Sequence, residues 1–316
     1  SCGEIISACV MATYIEAQGV KAEAMSGFQA GILTTDDFGN ADIVNIDPEP
    51  IQAKLREGKV VVVAGFQGRT RNNEITTLGR GGSDTTAVVL GGYLKADLVE
   101  IYTDVPGIAV TDPRVVPEAQ FIPKLSYDET IAMAENGAKV IHPRAVKAAK
   151  EFNLQVRVKS TFDESEGTLV GPEASDLTIC GISLTKDIAA AKYERGADFT
   201  EAELIKLQSI SNDKTLYGDS SRQKVILLDE GRKDIGMSLA DELKAQVSFL
   251  ENMSKVTVVY KDTVSSKEVD DRITAILAGE DISVVAKKQF ENCCSYIVEE
   301  DTAKKSVKAI YKAFFK

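Results

Sequence analysis

Residues 59–68 read Lys-Val-Val-Val-Val-Ala-Gly-Phe-Gln-Gly, and residues 79–84 read Gly-Arg-Gly-Gly-Ser-Asp. The continuous apolar run Lys59–Ala64 predicts a β-strand that is covered on both faces. The stretch Asp84–Lys95, which overlaps the end of the second motif, has helical periodicity and predicts a helix. A buried strand, a glycine-rich loop and a helix in succession are typical of a layered α/β domain.

The same alternation continues on both sides of this stretch. Further strands are predicted at Leu98–Tyr102 and Gln155–Val158, and a hairpin region is predicted from Ala22–Met25 and Gly31–Thr34. Helices are predicted at Glu4–Gln18, Ile51–Glu57, Tyr127–Asn136 and Pro143–Phe152. Buried strands that alternate with helices predict a layered α/β domain with a mainly parallel sheet.

A polar segment at 163–176 predicts a domain boundary, so we expect a first domain at 1–171 and a second at 172–316. The end of the chain predicts a strand, a helix, two strands and a helix, at Lys255–Tyr260, Ser266–Leu277, Ile282–Lys287, Cys294–Val298 and Thr302–Phe315. This β-α-β-β-α order predicts a small α+β sandwich of the ferredoxin-like type.

Between the boundary and that sandwich, the sequence predicts short strands at Thr178–Ser183 and Ile188–Tyr193 and a helix at Leu239–Phe249. Two weakly similar α+β units fit after residue 176. Three helix starts fit the capping-box pattern, in which a Ser or Thr precedes a Glu by three residues, at Ser1/Glu4, Ser126/Glu129 and Thr200/Glu203.

Charge and composition exclude several classes of function. The 316 residues include 48 acidic and 37 basic side chains, for a formal net charge of −11, which argues against a nucleic-acid partner. One histidine, His142, and five cysteines without metal-ligand spacing exclude a Cys/His zinc site. No apolar run approaches a membrane span, and no segment has the pattern of a signal peptide. We therefore expect a cytoplasmic protein with reduced thiols and no membrane partner.

The two glycine-rich motifs predict an anion site. Glycines at the end of a strand let the backbone approach a ligand, and a helix N-terminus offers N–H groups to an anion. Arg80 adds a guanidinium that matches a carboxylate or a phosphate. The alternative is a glycine-rich turn followed by a helix cap at Ser83 and Asp84, but three glycines and an arginine favour the anion site.

Two other stretches lie where strands and helices are predicted to end or begin. Tyr102–Ile108 follows a predicted strand and, with 111–114, is expected at the same sheet edge as a wall of a nucleotide pocket. Both also fit ordinary turns. Lys139 and His142 precede a helix start, where each taken alone is more often a solvated lysine or a structural histidine.

Taken together, the motifs resemble a known family. In order along the chain, they are SCGE at 1–4, GFQG at 65–68, TTLGRGGSDTTA at 76–87, TDVPGIAVTDPR at 103–114 and GAKVIHPRA at 137–145. They resemble the aspartate kinases of the amino-acid kinase family over residues 1 to about 170. The rest of the chain resembles, less closely, the paired ACT regulatory domains of those enzymes. The resemblance implies transfer of the ATP γ-phosphate to the side chain of L-aspartate, the first step toward lysine, threonine and methionine.

The resemblance also implies roles for individual residues. Glu4 matches the acid that holds the substrate ammonium, and Arg80 matches the residue that clamps the α-carboxylate, with Phe66 and Ser83 beside it. Asp84 matches an acid that organises the reacting groups. The residues that match the nucleotide site are Thr103, Asp104, Gly107, Arg114 and Lys139. Mg²⁺ that bridges the ATP phosphates is expected, without a dedicated protein metal site.

Further expectations concern assembly and the start of the chain. ACT-like domains imply an amino-acid effector, lysine or threonine, and a homodimer or larger homo-oligomer, with the strand Cys294–Val298 and its neighbours as candidate pairing edges. Family members begin with a strand and a Lys-Phe-Gly-Gly phosphate loop, whereas this sequence enters at SCGE, so we expect a trimmed or incompletely represented front. The alternatives are a non-catalytic ACT-bearing regulatory subunit and a kinase for another amino acid.

Overall fold

The structure, a computed structural model, describes residues 1–138, 140–218, 220–261 and 263–316. The chain divides into two compact units. The first contains Ser1–Ile108, Phe121–Ala134 and Lys139–Ala174, and the second contains Ala109–Gln120, Glu135–Ala138 and Ser175–Lys316. Across the described ranges, no helix has the length and apolarity to cross a bilayer.

The first unit alternates helices and short strands. Its helices are α1 (Cys2–Ala17), α2 (Glu49–Arg56), α3 (Gly82–Leu94), α4 (Tyr127–Glu135, whose last residue is assigned to the second unit) and α5 (Pro143–Phe152). Its strands are β1 (Ala22–Met25), β2 (Ile32–Thr34), β3 (Ile43–Ile46), β4 (Val60–Val63), β5 (Gln67–Arg69), β6 (Ile75–Thr77), β7 (Val99–Thr103), β8 (Lys124–Ser126), β9 (Val156–Ser160) and β10 (Thr168–Gly171).

These strands form three sheets, in which most neighbouring strands run parallel. The sheet orders are β1-β4, β3-β2-β5-β6 and β7-β9-β10-β8. The parallel pairs are β1/β4, β2/β5, β7/β9 and β8/β10. The predicted α/β class with a mainly parallel arrangement is confirmed.

The hairpin predicted from Ala22–Met25 and Gly31–Thr34 is wrong. Strand β1 pairs in parallel with β4, whereas β2 pairs with β3 and β5 in another sheet. The connecting loop is a compact turn in which both the amide and the hydroxyl of Ser26 donate to Oε1 of Gln29. Gly31, at φ 78°, then directs the chain away from β1.

Strand β4 is also less covered than its apolar run predicts. Val60 is 41% exposed, and the other three residues of the strand are half-buried. Within the described residues β4 pairs only with β1, while α1 and α2 pack against the pair. The continuous apolar run predicted the strand correctly, but the predicted burial of both faces is wrong.

Two of the three predicted capping boxes form. The Ser126 amide donates to the Glu129 carboxylate at 2.7 Å, and the Glu129 amide donates back to the Ser126 hydroxyl at 3.1 Å. The box at Thr200 and Glu203 is also complete. At α1 the side chain of Ser1 makes no capping bond.

The second unit is built on one antiparallel sheet with helices. Its strands are β11 (Ile179–Glu194), β12 (Gln223–Leu227), β13 (Gln246–Tyr260), β14 (Val284–Gln289) and β15 (Cys293–Glu299). Its helices are α6 (Glu201–Ile210), α7 (Lys233–Leu243), α8 (Ser266–Gly279) and α9 (Glu300–Phe315), with a short 3₁₀ turn at Glu230–Arg232. The sheet order is β12-β11-β13-β15-β14.

Two long strands join the halves of this sheet. The short strands predicted at Thr178–Ser183 and Ile188–Tyr193 are one continuous strand, β11, which pairs with β13 along its whole length. The pairing shifts register near the middle, where Asp187 on β11 and Asn252 on β13 both have a φ of 54°. The helix predicted at Leu239–Phe249 is wrong in both bounds: α7 runs over Lys233–Leu243, and residues 246–249 belong to β13.

Helices α6 and α7 cover one half of the sheet through Tyr193, Leu207 and Leu239, which share a core cluster. Helix α8 lies on the other half, where Asp270 accepts a bond from the buried Tyr296 hydroxyl at 2.7 Å. The predicted β-α-β-β-α order at the end of the chain is confirmed by β13, α8, β14, β15 and α9.

The candidate pairing strand Cys294–Val298 is not an edge. It forms most of β15, which pairs with β13 on one side and β14 on the other. The sheet edges are β12 and β14, so of the predicted candidates only the neighbour β14 is exposed to pairing. A strand's place in a sheet depends on long-range pairing, which the local sequence pattern does not contain.

One arginine joins three elements of the second unit. Arg195, just after the end of β11, donates to both carboxylate oxygens of Glu203 at 2.7 and 2.8 Å and to the Leu243 carbonyl at 2.9 Å. The guanidinium beside Glu203, helped by the Thr200 cap, lowers the pKa of that carboxyl to about 2. This network fixes the start of α6 and the end of α7 against the sheet.

We expect Glu203→Gln to lower the free energy of unfolding at neutral pH, and to lower it less as the pH falls toward 2. Because the folded-state pKa lies below the ordinary value of 4.5, the charged carboxylate stabilises the fold above that value and loses this effect as the pH falls through 2. Urea unfolding at several pH values measures the difference. Glu201→Gln, at an exposed carboxylate in the same turn, is the matched control. An equal loss at every pH would contradict the expectation.

Candidate active site

The two glycine-rich motifs meet at one pocket of the first unit. The pocket is open and has a volume of about 400 Å³. It is lined by Phe66, Gly79, Arg80, Gly81, Gly82, Ser83 and Asp84. Four residues predicted from the sequence, Phe66, Arg80, Ser83 and Asp84, therefore share one site.

Close backbone contacts bring the motifs together. The Leu78 amide donates to the Phe66 carbonyl at 3.0 Å, which joins the chain before the second motif to the first motif. A Cβ atom at Gly82 would lie only 2.7 Å from Cδ2 of Phe66, so the ring packs directly on the first residue of α3. A residue other than glycine would separate the two walls of the pocket.

The start of α3 gives the pocket positive character. The N–H groups of the first turn have no partners within the helix, and the helix dipole favours an anion there. Arg80 is exposed at the same place, so its guanidinium is accessible to a ligand. The predicted anion site therefore has both a cationic side chain and a helix N-terminus.

Asp84 is a half-buried acid in the first turn of α3. Burial raises its pKa above the ordinary value, and a hydrogen bond from the backbone of His142 opposes that shift. The carboxylate is thus held beside the anion site at an electrostatic cost to the fold.

His142 and Arg144 shape the pocket from the start of α5, and neither was among the site residues predicted from the sequence. Gly81 has a φ of 70°, and a Cβ there would lie 2.1 Å from Cγ of His142. The His142 ring caps α5 by accepting from the Arg144 amide at 3.3 Å, which supports the structural interpretation of this histidine. The Arg144 guanidinium donates to the carbonyls of Leu78 and Ala41, at 2.7 and 2.9 Å, and to the Asp42 carboxylate.

These contacts hold the loop before Gly79 in place from a segment more than sixty residues further along the chain. The sequence signals were the helix-start pattern His-Pro-Arg and the family motif at 137–145 that contains it. A local pattern shows that a helix begins at such a place but not what it touches.

Glu4 lies in the first turn of α1, and the start of this helix contacts the first glycine-rich motif. The buried Gln67 side chain donates from Nε2 to the Ser1 carbonyl at 3.1 Å, which places the start of α1 beside β5. A backbone hydrogen bond at the start of α1 lowers the pKa of Glu4.

The residues predicted to bind the nucleotide divide between the units. Thr103 ends β7, and its hydroxyl donates to the exposed Asp104 at 3.2 Å. Gly107, in the same unit, is buried with a φ of 150°, and a Cβ there would lie 2.8 Å from the Thr168 hydroxyl. Arg114 belongs to the second unit, where it is exposed and paired with Asp112 at 2.8 Å. Lys139 lies outside the described residues.

Within the ranges that the structure describes, no group of three or more His, Cys, Asp or Glu side chains has the geometry to hold a metal ion. An ion that enters with a ligand and uses one protein carboxylate needs no such group. Asp84 is a half-buried carboxylate at the pocket that fits that use.

Sequence comparison relates the chain to one enzyme family. The model of the amino acid kinase family matches residues 1–160. An aspartokinase from Bacillus sp. (strain MGA3) is 35% identical over 339 residues, which cover 99% of this chain and 80% of that protein.

Solved structures give the same relation over the whole chain. E. coli aspartokinase III in complex with aspartate and ADP superposes with a TM-score of 0.78 and 27% identity, covering 99% of this chain and 74% of that one. The same enzyme in complex with lysine and aspartate gives a TM-score of 0.76 and 26% identity, with the same coverage.

We expect Asp84→Asn to raise the unfolding temperature at neutral pH. The raised pKa means that ionised Asp84 destabilises the folded state, and this cost grows as the pH rises above the ordinary value of 3.8. Asparagine keeps an acceptor for the His142 amide without the buried charge. Thermal unfolding from acid to neutral pH measures the difference, with Asp97→Asn at an exposed site as the control. A lower unfolding temperature for Asp84→Asn at neutral pH would refute this explanation.

Proposed function

This chain belongs to the aspartokinases of the amino acid kinase family, and on that premise we propose how its residues phosphorylate L-aspartate with ATP. The product is 4-phospho-L-aspartate, an acyl phosphate. One observation carries the assignment of the site: Arg80, the N-terminus of α3 and Phe66 line a single pocket with the acid Asp84. Such a pocket holds an anionic substrate beside a group that can organise its reaction.

Recognition of an α-amino acid needs one cation and one anion on the protein. We assign the α-carboxylate of aspartate to Arg80, whose guanidinium forms paired hydrogen bonds with carboxylates, and to Ser83 at the helix start. We assign the substrate ammonium to Glu4, an acidic side chain in the first turn of α1. Phe66 forms the wall beside the substrate.

Phosphoryl transfer depends on positioning and charge neutralisation more than on a covalent nucleophile. The reacting carboxylate of aspartate and the γ-phosphate repel each other, so groups that hold both in line lower the barrier. The N–H groups at the start of α3 and Arg80 supply positive charge at the pocket. We propose that Asp84 orients the reacting groups from its fixed place in the first turn.

The nucleotide is assigned to the chain after β7. Thr103, Asp104 and Gly107 lie at or just after the carboxyl end of that strand, which is where open α/β sheets bind ligands. Arg114 and Lys139 are proposed for the phosphates because both carry positive charge and match the family motifs. Similarity to an enzyme solved with ADP supports the use of ATP.

Mg²⁺ is proposed as the metal that accompanies ATP. It favours one or two carboxylates together with phosphate oxygens and water, and Asp84 would be its protein ligand. When bound, the ion neutralises charge on the phosphates.

We propose that 1–171 is the catalytic region and that 172–316 is regulatory and ACT-like. The second unit contains two helix-covered halves on one sheet, and a similar enzyme was solved with lysine. Lysine or threonine is the proposed effector, with a homodimer or larger homo-oligomer as the assembly. Cytoplasmic biosynthesis of lysine, threonine and methionine is the proposed setting.

Trapping with hydroxylamine tests the reaction directly. With ATP, Mg²⁺ and L-aspartate, we expect the full-length protein to yield aspartyl hydroxamate, since hydroxylamine captures an acyl phosphate. L-glutamate should yield little. Equal product from glutamate would overturn the choice of substrate. No product from folded protein would favour a regulatory subunit instead.

Arg80→Ala should raise the KM for aspartate roughly 10- to 100-fold, since a hydrogen bond to a charged group contributes about 1.5–3 kcal/mol. The KM for ATP should change little. Arg71→Ala removes an exposed arginine outside the pocket and is the matched control. Steady-state kinetics with each substrate varied in turn give both constants, and an unchanged KM for aspartate would exclude the assigned role.

A further inference from the structure

Phe66 has an unfavourable backbone conformation at the wall of the pocket. Its φ is 68°, in the left-handed region that residues with a bulky side chain rarely adopt. Such a conformation persists only where surrounding contacts impose it. The groups that impose it therefore determine the shape of the pocket.

Two hydrogen bonds hold the Phe66 peptide groups. The Leu78 amide donates to its carbonyl at 3.0 Å, and its own amide donates to the Thr86 hydroxyl at 3.0 Å. Of the two partners, only Thr86 acts through a side chain. A substitution at this position can therefore remove the bond without altering the backbone.

Thr86 has the geometry of a fixed bridge. The residue is 2% exposed, and its hydroxyl also donates to the Gly82 carbonyl at 2.7 Å. The single hydroxyl proton is used on Gly82, so the oxygen is oriented to accept from Phe66. Thr86 thus ties Phe66 and Gly82, two residues that line the pocket, although it does not line the pocket itself.

We propose that Thr86 is a positioning residue for the aspartate kinase reaction. Its hydroxyl holds Phe66 in the left-handed conformation and against the start of α3, which sets the wall that aspartate meets. The inference rests on the proposed function, because it assigns aspartate to this pocket. It adds a residue that acts on the substrate through Phe66.

The neighbouring residue offers a matched control. Thr85 is also buried, and its hydroxyl donates to the Gly81 carbonyl at 2.9 Å, which already accepts from the Thr85 amide. Thr85→Val and Thr86→Val therefore make the same chemical change on adjacent residues of one helix. Only Thr86→Val leaves the Phe66 amide without an acceptor.

Steady-state kinetics and calorimetric titration with L-aspartate test the proposal. Thr86→Val should raise the KM and the Kd for aspartate about tenfold, as expected when a partly buried N–H loses its acceptor, with the KM for ATP within about twofold of wild type. Thr86→Ser keeps the hydroxyl and should restore both constants to within about threefold. Thr85→Val should match wild type.

An unchanged Kd in Thr86→Val would overturn the proposal, as would a serine variant as defective as the valine variant. An equal rise in the KM for ATP would show general damage and would also overturn it. If Thr86→Val does not fold, Thr86→Ala replaces it and should weaken aspartate binding relative to Thr86→Ser; equal binding by those two variants would reject the role. Failure of the proposed function is distinguished by a wild-type protein that neither binds aspartate nor forms the hydroxamate.

Discussion

The candidate site depends on the lack of a side chain at Gly81. There the backbone is left-handed, and the His142 ring occupies the space that a Cβ atom would need. This contact allows α5 to approach the start of α3, so that the His142 backbone reaches Asp84. Arg144, in the first turn of α5, holds the carbonyl of Leu78 and so fixes the loop that enters the motif. The pocket thus depends on the packing of the start of α5 against the backbone at Gly81.

The charges of the site follow from this packing. The first turn of α3 and Arg80 form a positive region, whereas Asp84 is partly buried beside them and its pKa is raised. A fold selected for stability alone would place a neutral group at that position. A partly buried carboxylate next to an anion site is instead the pattern expected of a functional acid. Structural stability and the role proposed for Asp84 oppose each other at this carboxylate.

Local patterns predicted much of the fold and part of the site. Strands, helices and caps at 126–129 and 200–203 follow from short-range chemistry, and the glycines and arginine at 79–82 are enough to indicate an anion site. The pairing partners of the strands could not be predicted in this way. The chain between β1 and β2 contains turn residues, which are expected both in a hairpin and between strands of separate sheets. The single strand β11 was divided in two because the polar residues at 185–187 resemble a turn. The contacts of His142 with Gly81 join positions far apart in sequence, which no local pattern records.

The continuity of β11 and β13 limits how this protein can be divided. Each strand runs through both halves of the sheet in the second unit, so neither half can be excised or exchanged without cutting two central strands. The segments Ala109–Gln120 and Glu135–Ala138 also belong to that unit, and the Tyr311 hydroxyl donates to the Glu118 carbonyl at 2.9 Å. A chimaera joined after Ala174 would therefore take the rest of its second unit from another enzyme but keep these two segments of the original one. To transfer the second unit between such enzymes, all three of its chain segments must be moved together. Residue 174 marks only one of the junctions.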